Sequence, residues 1–269
     1  MAYDRDEFIR LLTDYYNFLN RVFWDATIVQ PPAGGWPSIN QETLANLKRD
    51  DTVIDLLRNI PYVDYPYQEN HPIYAPLIMN CTPTVDYRRE DVQKKIHDGE
   101  IERLAAPITG QDPAIPSSCA TIACCKNRNG YEVILDTHDG YIYWGEANGQ
   151  HDEPAPELNS TLEQFRGDKA NEWRYAGGVN VYEPVDFFAL CKERYRGLSW
   201  IGISPWDVSV MRRDMNWEYE SEPDPDWSDP EDDLSQNKLG RKMRRAGWPG
   251  DGEGRDWKRE EFERLLKEE

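Results

Sequence analysis

Cys119-Ala-Thr-Ile-Ala-Cys-Cys125, Lys126-Asn-Arg-Asn-Gly130, Tyr131-Glu-Val-Ile-Leu-Asp136, Thr137-His-Asp-Gly140, Tyr141-Ile-Tyr-Trp144 is the stretch on which the fold turns. Three short runs of small, β-branched and aromatic residues alternate with two polar segments that end in glycine. Asn-Gly and Asp-Gly are favoured where a hairpin needs positive φ, because glycine has no Cβ to clash there. The stretch therefore reads as an antiparallel meander over 119–144, with turns at 126–130 and 137–140.

On the N-terminal side, Phe8, Leu11, Leu12, Tyr15, Phe18 and Leu19 recur at three- and four-residue steps, which predicts a helix over 4–20. Gln30-Pro-Pro-Ala-Gly-Gly-Trp-Pro37 breaks regular structure. Ser38 or Asn40 then caps a short helix through Leu44 and Leu47, and Asp50 or Asp51 caps the next, which Ile60-Pro61 ends. Ile73 to Met79 reads as an edge strand, Arg88 to His97 as a polar helix stopped by Gly99, and 103–118 as a surface loop. On the C-terminal side, 148–180 reads as loop, Glu183 to Arg196 as a helix and Leu198 to Ile203 as a last short strand. The fold class that follows is α+β: an antiparallel sheet flanked by helices.

After Trp206 the composition changes. Residues 214–233 carry ten carboxylates and no Lys or Arg, and Lys238, Arg241, Lys242, Arg244 and Arg245 then reverse the sign. Three regions are expected: an α+β core at 1–205, a flexible acidic-then-basic segment at 206–255, and an amphipathic helix at 256–269. Trp217, Tyr219 and Trp227 stand among Asp224, Asp226, Asp229, Glu231, Asp232 and Asp233. Rings supply anchors and carboxylates attract a basic surface, so these nine residues are the candidate binding strip.

Charge and composition narrow the function classes. Fifty acidic against 31 basic side chains leave a net charge of -19. A polyanionic nucleic acid or an anionic membrane surface is a poor partner for such a chain, and a basic protein surface is a good one. Ten tryptophans and fifteen tyrosines demand a packed core despite a mean hydropathy of -0.82. The charged start leading into a helix pattern predicts no secretory signal, and no apolar run reaches the length of a membrane span. The expected compartment is the cytoplasm or the nucleus, with five cysteines as reduced thiols.

Chemistry-bearing patterns are few. Cys119, Cys124 and Cys125 lack metal-ligand spacing, and phosphate-loop, dinucleotide-fingerprint, serine-elbow and His-Glu-x-x-His motifs are absent. Asp136, His138 and Asp139 form the most enzyme-like trio, since a histidine between carboxylates can hold a metal or act as a base. They also occupy the positions that a tight turn asks of Asp and Asp-Gly for backbone reasons. No catalytic residue, metal ligand or cofactor is assigned on this reading.

The order Gly130-Tyr-Glu-Val-Ile-Leu-Asp136, Asp139-Gly-Tyr-Ile-Tyr-Trp144, then Val185-Asp-Phe-Phe-Ala-Leu190 resembles the later half of the SMI1/KNR4 (SUKH) superfamily, across Cys119 to Tyr195. Trp36-Pro37-Ser38 before two helices, and Leu56-Leu57 before Ile60-Pro61, are similar to uncharacterised filamentous-fungal proteins. The resemblance implies a helix-flanked antiparallel sheet, no catalytic residues to transfer, and action through protein partners, as in toxin-binding immunity proteins or fungal regulators. It also implies that Gly130, Tyr131, Asp136, Gly140 and Trp144 are scaffold positions, with Asp136 and Trp144 as candidate surface positions. The expected function is a non-enzymatic, adaptor-like interaction protein. The alternatives are a metal-dependent hydrolase using Asp136, His138 and Asp139, and a toxin-neutralising protein.

Overall fold

The computed structural model describes residues 3–65, 75–100, 104, 114–125, 130–146, 151, 153–175, 178–210 and 230–268, with backbone alone from 230 to 237. The chain is α+β. Its first helix, α1 (Arg5–Val22), starts where the Asp4 carboxylate accepts from the Glu7 N–H at 3.0 Å, and it buries the stripe from Phe8 to Val22. β1 (Thr27–Val29) pairs antiparallel with β2 (Tyr62–Asp64), and between them lie a 3-10 turn (Ala45–Leu47) and α2 (Asp51–Asn59). Asp50 caps α2 through the Val53 N–H at 2.9 Å. β3 (Leu77–Met79) and β4 (Thr82–Pro83) make a short hairpin ahead of α3 (Glu90–His97).

The main sheet is a sequential antiparallel meander of β5 (Cys119–Cys124), β6 (Tyr131–Asp136), β7 (Ile142–Glu146) and β8 (Asn180–Tyr182). Alternation sends Val133, Leu135, Ile142 and Trp144 to the large core, and Ile134, Tyr143 and Val181 to a second, smaller one. Two 3-10 helices, Glu157–Phe165 and Lys169–Arg174, cover that second face with Leu162 and Trp173. The expectation of loop over 148–180 is thus corrected at these two 3-10 helices. Their polar sequences hid them, because each contributes only one or two apolar residues.

On the other face α1 packs against α4 (Pro184–Arg196), with Tyr15 and Phe188 ring centres 5.3 Å apart. Trp144, fully buried, sits between Tyr131 and Phe187 at 4.9 and 5.5 Å. β9 (Trp200–Ser204) and β10 (Asp207–Val210) form a second hairpin.

The expectation of a flexible 206–255 is corrected where the chain is described. Besides β10, helix α5 (Pro230–Arg245) occupies this range, and Met243, Ala246, Trp248, Trp257, Phe262 and Leu265 join the large core, the last two from α6 (Arg259–Leu266). The glycine-rich 247–254 is a chain of turns strapped across the last turns of α1 and α4. The Trp248 indole donates to the Tyr195 carbonyl and the Trp257 indole to the Arg21 carbonyl, each at 3.0 Å. Helix C-termini leave carbonyls without helical partners, and two buried indoles meet that need while filling space. Glu253 lies among Arg21, Lys192 and Arg196, which fastens the strap electrostatically.

Candidate functional site

Three places carry functional chemistry, beginning with the turn at 137–140. Asp136 is fully buried at the end of β6. One of its oxygens accepts from the His138 N–H at 2.9 Å, and the other receives the Arg174 guanidinium at 2.6 Å. Asp139 accepts from the Tyr141 N–H at 2.9 Å, the Tyr143 hydroxyl at 2.7 Å and Arg174 at 2.9 Å. Burial pushes the Asp139 carboxyl above its ordinary range, against the pull of these donors. The Arg174 guanidinium lies 4.5 Å from the Trp173 ring centre and 4.8 Å from those of Tyr143 and Phe165. The His138 side chain is exposed, while Asp136 beside it is sealed.

The trio that looked most enzyme-like is therefore not brought to one cavity. Its two carboxylates turn inward onto a buried arginine, and its imidazole faces outward. Arg174 had no signal in the sequence, because it lies in a polar stretch 38 residues from Asp136. Among the described residues no group of three or more His, Cys, Asp or Glu side chains is placed to hold a metal ion.

Of the five family-pattern residues, Asp136 and Gly140 form this corner, while Gly130, Tyr131 and Trp144 lie toward the opposite end of the β6–β7 pair. Tyr131, Asp136 and Trp144 are buried, so the surface role considered for Asp136 and Trp144 is corrected: Arg174 covers Asp136, and paired strands and the helix carrying Phe187 close over Trp144. Gly130 has φ +129°, and a Cβ there would sit 2.7 Å from the Cys81 carbonyl oxygen. Gly140 has φ +80° and returns its N–H to the Asp136 carbonyl at 2.8 Å.

The second place is the acidic strip. Trp217, Tyr219, Asp224, Asp226, Trp227 and Asp229 lie outside the described residues, and Glu231, Asp232 and Asp233 fall in α5 where only the backbone is described. Val210 ends β10 on one side, and on the other α5 leads to the buried Met243. Both flanks belong to one packed body.

The third is a cleft of about 410 Å³ between β2 and the turn ahead of α3. Val63, Asp64 and Tyr65 line it on one side, Asp86, Arg88 and Arg89 on the other, and Trp36 completes it. Arg88 donates to Asp86 at 2.8 Å and to Asp64 at 2.6 Å, with its guanidinium 4.7 Å from the Trp36 ring centre. Tyr65 is propped edge-on by Trp206 at 4.5 Å. Sequence reading placed Trp36 in a structure-breaking stretch and in the Trp36-Pro37-Ser38 resemblance, not at a binding site. The cleft joins residues up to 53 positions apart, and no local pattern marks it.

No protein-family model, curated protein or solved structure matches this chain. Among the described residues no helix is long and apolar enough to cross a membrane.

Proposed function

We propose that this is a non-enzymatic interaction protein of the SMI1/KNR4-like kind, which engages a partner with a basic surface through the acidic strip. The observation that carries the reading is the anchoring of both flanks on one core. Residues 211–229 hold seven carboxylates and three aromatic rings, and β10 and α5 fix where the two ends leave and rejoin the body. Pinned ends reduce the chain entropy that ordering a strip on its partner would cost. The net charge of -19 supports a cationic partner, since opposite fields accelerate encounter. The shared strand-turn-strand order supports the family reading, whose members act through partners.

The test replaces Trp217, Tyr219 and Trp227 by alanine in the full chain and compares its bound proteins with those of the parent from the same extract. The variant should melt like the parent and lose its basic partners at least about tenfold, the cost of one or two aromatic anchors. Equal recovery of every partner by both proteins would refute the assignment.

A further inference from the structure

We propose that the exposed basic side of α5 is a docking surface for the chain's own acidic strip, laid back along the helix in the same molecule. The docking stands on the charges of α5 and the strip. Its consequence, that a basic partner must displace α5 from the strip, rests on the function proposed above.

Helix geometry sorts the side chains of α5 by side. Gly240, Met243 and Ala246 are buried against the core, and Leu239 is partly so. Lys238, Arg241 and Arg245 follow at three- and four-residue steps on the opposite side, with Arg244 beside them, and all four are exposed. Like charges at such steps repel one another. A helix C-terminus favours cations in its last turn but does not ask for a stripe about two turns long. Elsewhere Arg10, Arg88, Arg166, Arg174 and Arg264 each hold a carboxylate. Among the described residues the side chains of the four on α5 have no ion pair or hydrogen bond. Glu261 comes near Arg245, but Arg264 already holds its carboxylate at 2.7 Å. In a chain of net charge -19, α5 thus carries an uncompensated cationic side.

Spacing and tether select the occupant. Glu218, Glu220, Glu222, Asp224 and Asp226 recur at every second residue. Along an extended chain such carboxylates stand about 6–7 Å apart. On α5 the step from Arg241 to Arg245 is about 6 Å along the axis, and that from Lys238 to Arg241 about 4.5 Å. Asp229 directly precedes α5, so the strip arrives without a partner. Counted back from Pro230, Asp226 to Glu218 can reach about 13 to 40 Å, and the cations lie about 12 to 22 Å along the helix. A tether of that length holds the strip at an effective concentration on the order of millimolar. A second copy, or an acidic segment of another protein, would need to exceed that concentration to compete. Pro223 and Pro225 restrict the backbone in advance, which lowers the entropy lost on docking.

The test treats the full chain with a water-soluble carbodiimide, which couples carboxylates to amines in contact with them, and maps the links to Lys238 by mass spectrometry. The expected result is a link within one chain from Lys238 to a carboxylate of residues 218–229. A variant with Arg241→Gln, Arg244→Gln and Arg245→Gln keeps both Lys238 and the tether and should melt like the parent. It should lower the yield of that link about fivefold, the worth of three exposed ion pairs. The proposal is overturned if Lys238 forms no such link, if the variant forms it in equal yield, as tethering alone would produce, or if the links join two chains. No partner protein enters this measurement, so docking and the proposed function fail separately: the first by these links, the second by equal partner recovery in the alanine variant.

Discussion

Arg174 shows how one side chain can decide the character of a corner. Its guanidinium joins Asp136 and Asp139, and three aromatic rings exclude water around it. Replacing it with methionine keeps bulk but leaves two carboxylates facing apolar walls. Loss of one partner of a buried pair costs about 3–5 kcal/mol, so Arg174→Met should lower the melting temperature by on the order of 10 °C. Asp136→Asn, which leaves Arg174 paired with Asp139, should cost less; thermal melts of the two variants check the order. His151 supplies a second residue-scale expectation. It packs edge-on to Trp144 at 4.2 Å, and burial pulls its pKa down from 6.5 to about 4. The fold binds the neutral ring, whereas the unfolded chain accepts a proton below 6.5. His151 therefore contributes stability in full above that pH, and the contribution fades as pH falls from 6.5 toward 4. The loss should reach on the order of 2–3 kcal/mol by pH 4. His151→Phe, which keeps the ring contact without the proton site, should flatten this part of the stability–pH curve in denaturant titrations.

Among the elements, those with strong periodicity or turn chemistry were legible and those built from long-range contacts were not. α1, α2, β6 and α4 lie within a residue or two of their expected bounds, because apolar spacing, caps and Asp-Gly turns are local signals. β8 has three residues and is recognised as a strand only by pairing with β7, so nothing local announces it. Of the candidate site, the Asp136 corner was legible as a turn, while its arginine and the Trp36–Arg88 cleft arise only after folding. The strap at 247–254 is the sharpest departure, since glycines that read as flexible instead let the chain bend sharply enough to set Trp248 and Trp257 over two helix ends. A consequence follows for truncation. A chain ending at Val210 would lose Met243, Trp248, Trp257, Phe262 and Leu265 from the core. At about 1.5–3 kcal/mol for each large buried side chain, the loss is on the order of 10 kcal/mol. That rivals the whole stability of a typical domain. Residues 1–210 alone should show no cooperative unfolding transition by circular dichroism, where a separable tail would have left one intact.

At the scale of the whole molecule, binding through the acidic strip should answer steeply to salt. The chain's charge of -19 acts at a distance, and its reach is set by screening, about 10 Å at 0.1 M and 3 Å at 1 M. Association steered by that field loses on-rate steeply as salt rises, while contacts desolvated within the complex govern the off-rate and respond little. The acidic strip belongs to the first kind. In stopped-flow measurements, a basic partner captured by the strip should therefore associate at least about tenfold more slowly when salt is raised from about 0.05 to 0.5 M. Dissociation of the same complex should change less than about threefold over that range, because contacts already desolvated are little screened. An on-rate that stays constant across the range would mean that the general negative field does not steer the encounter.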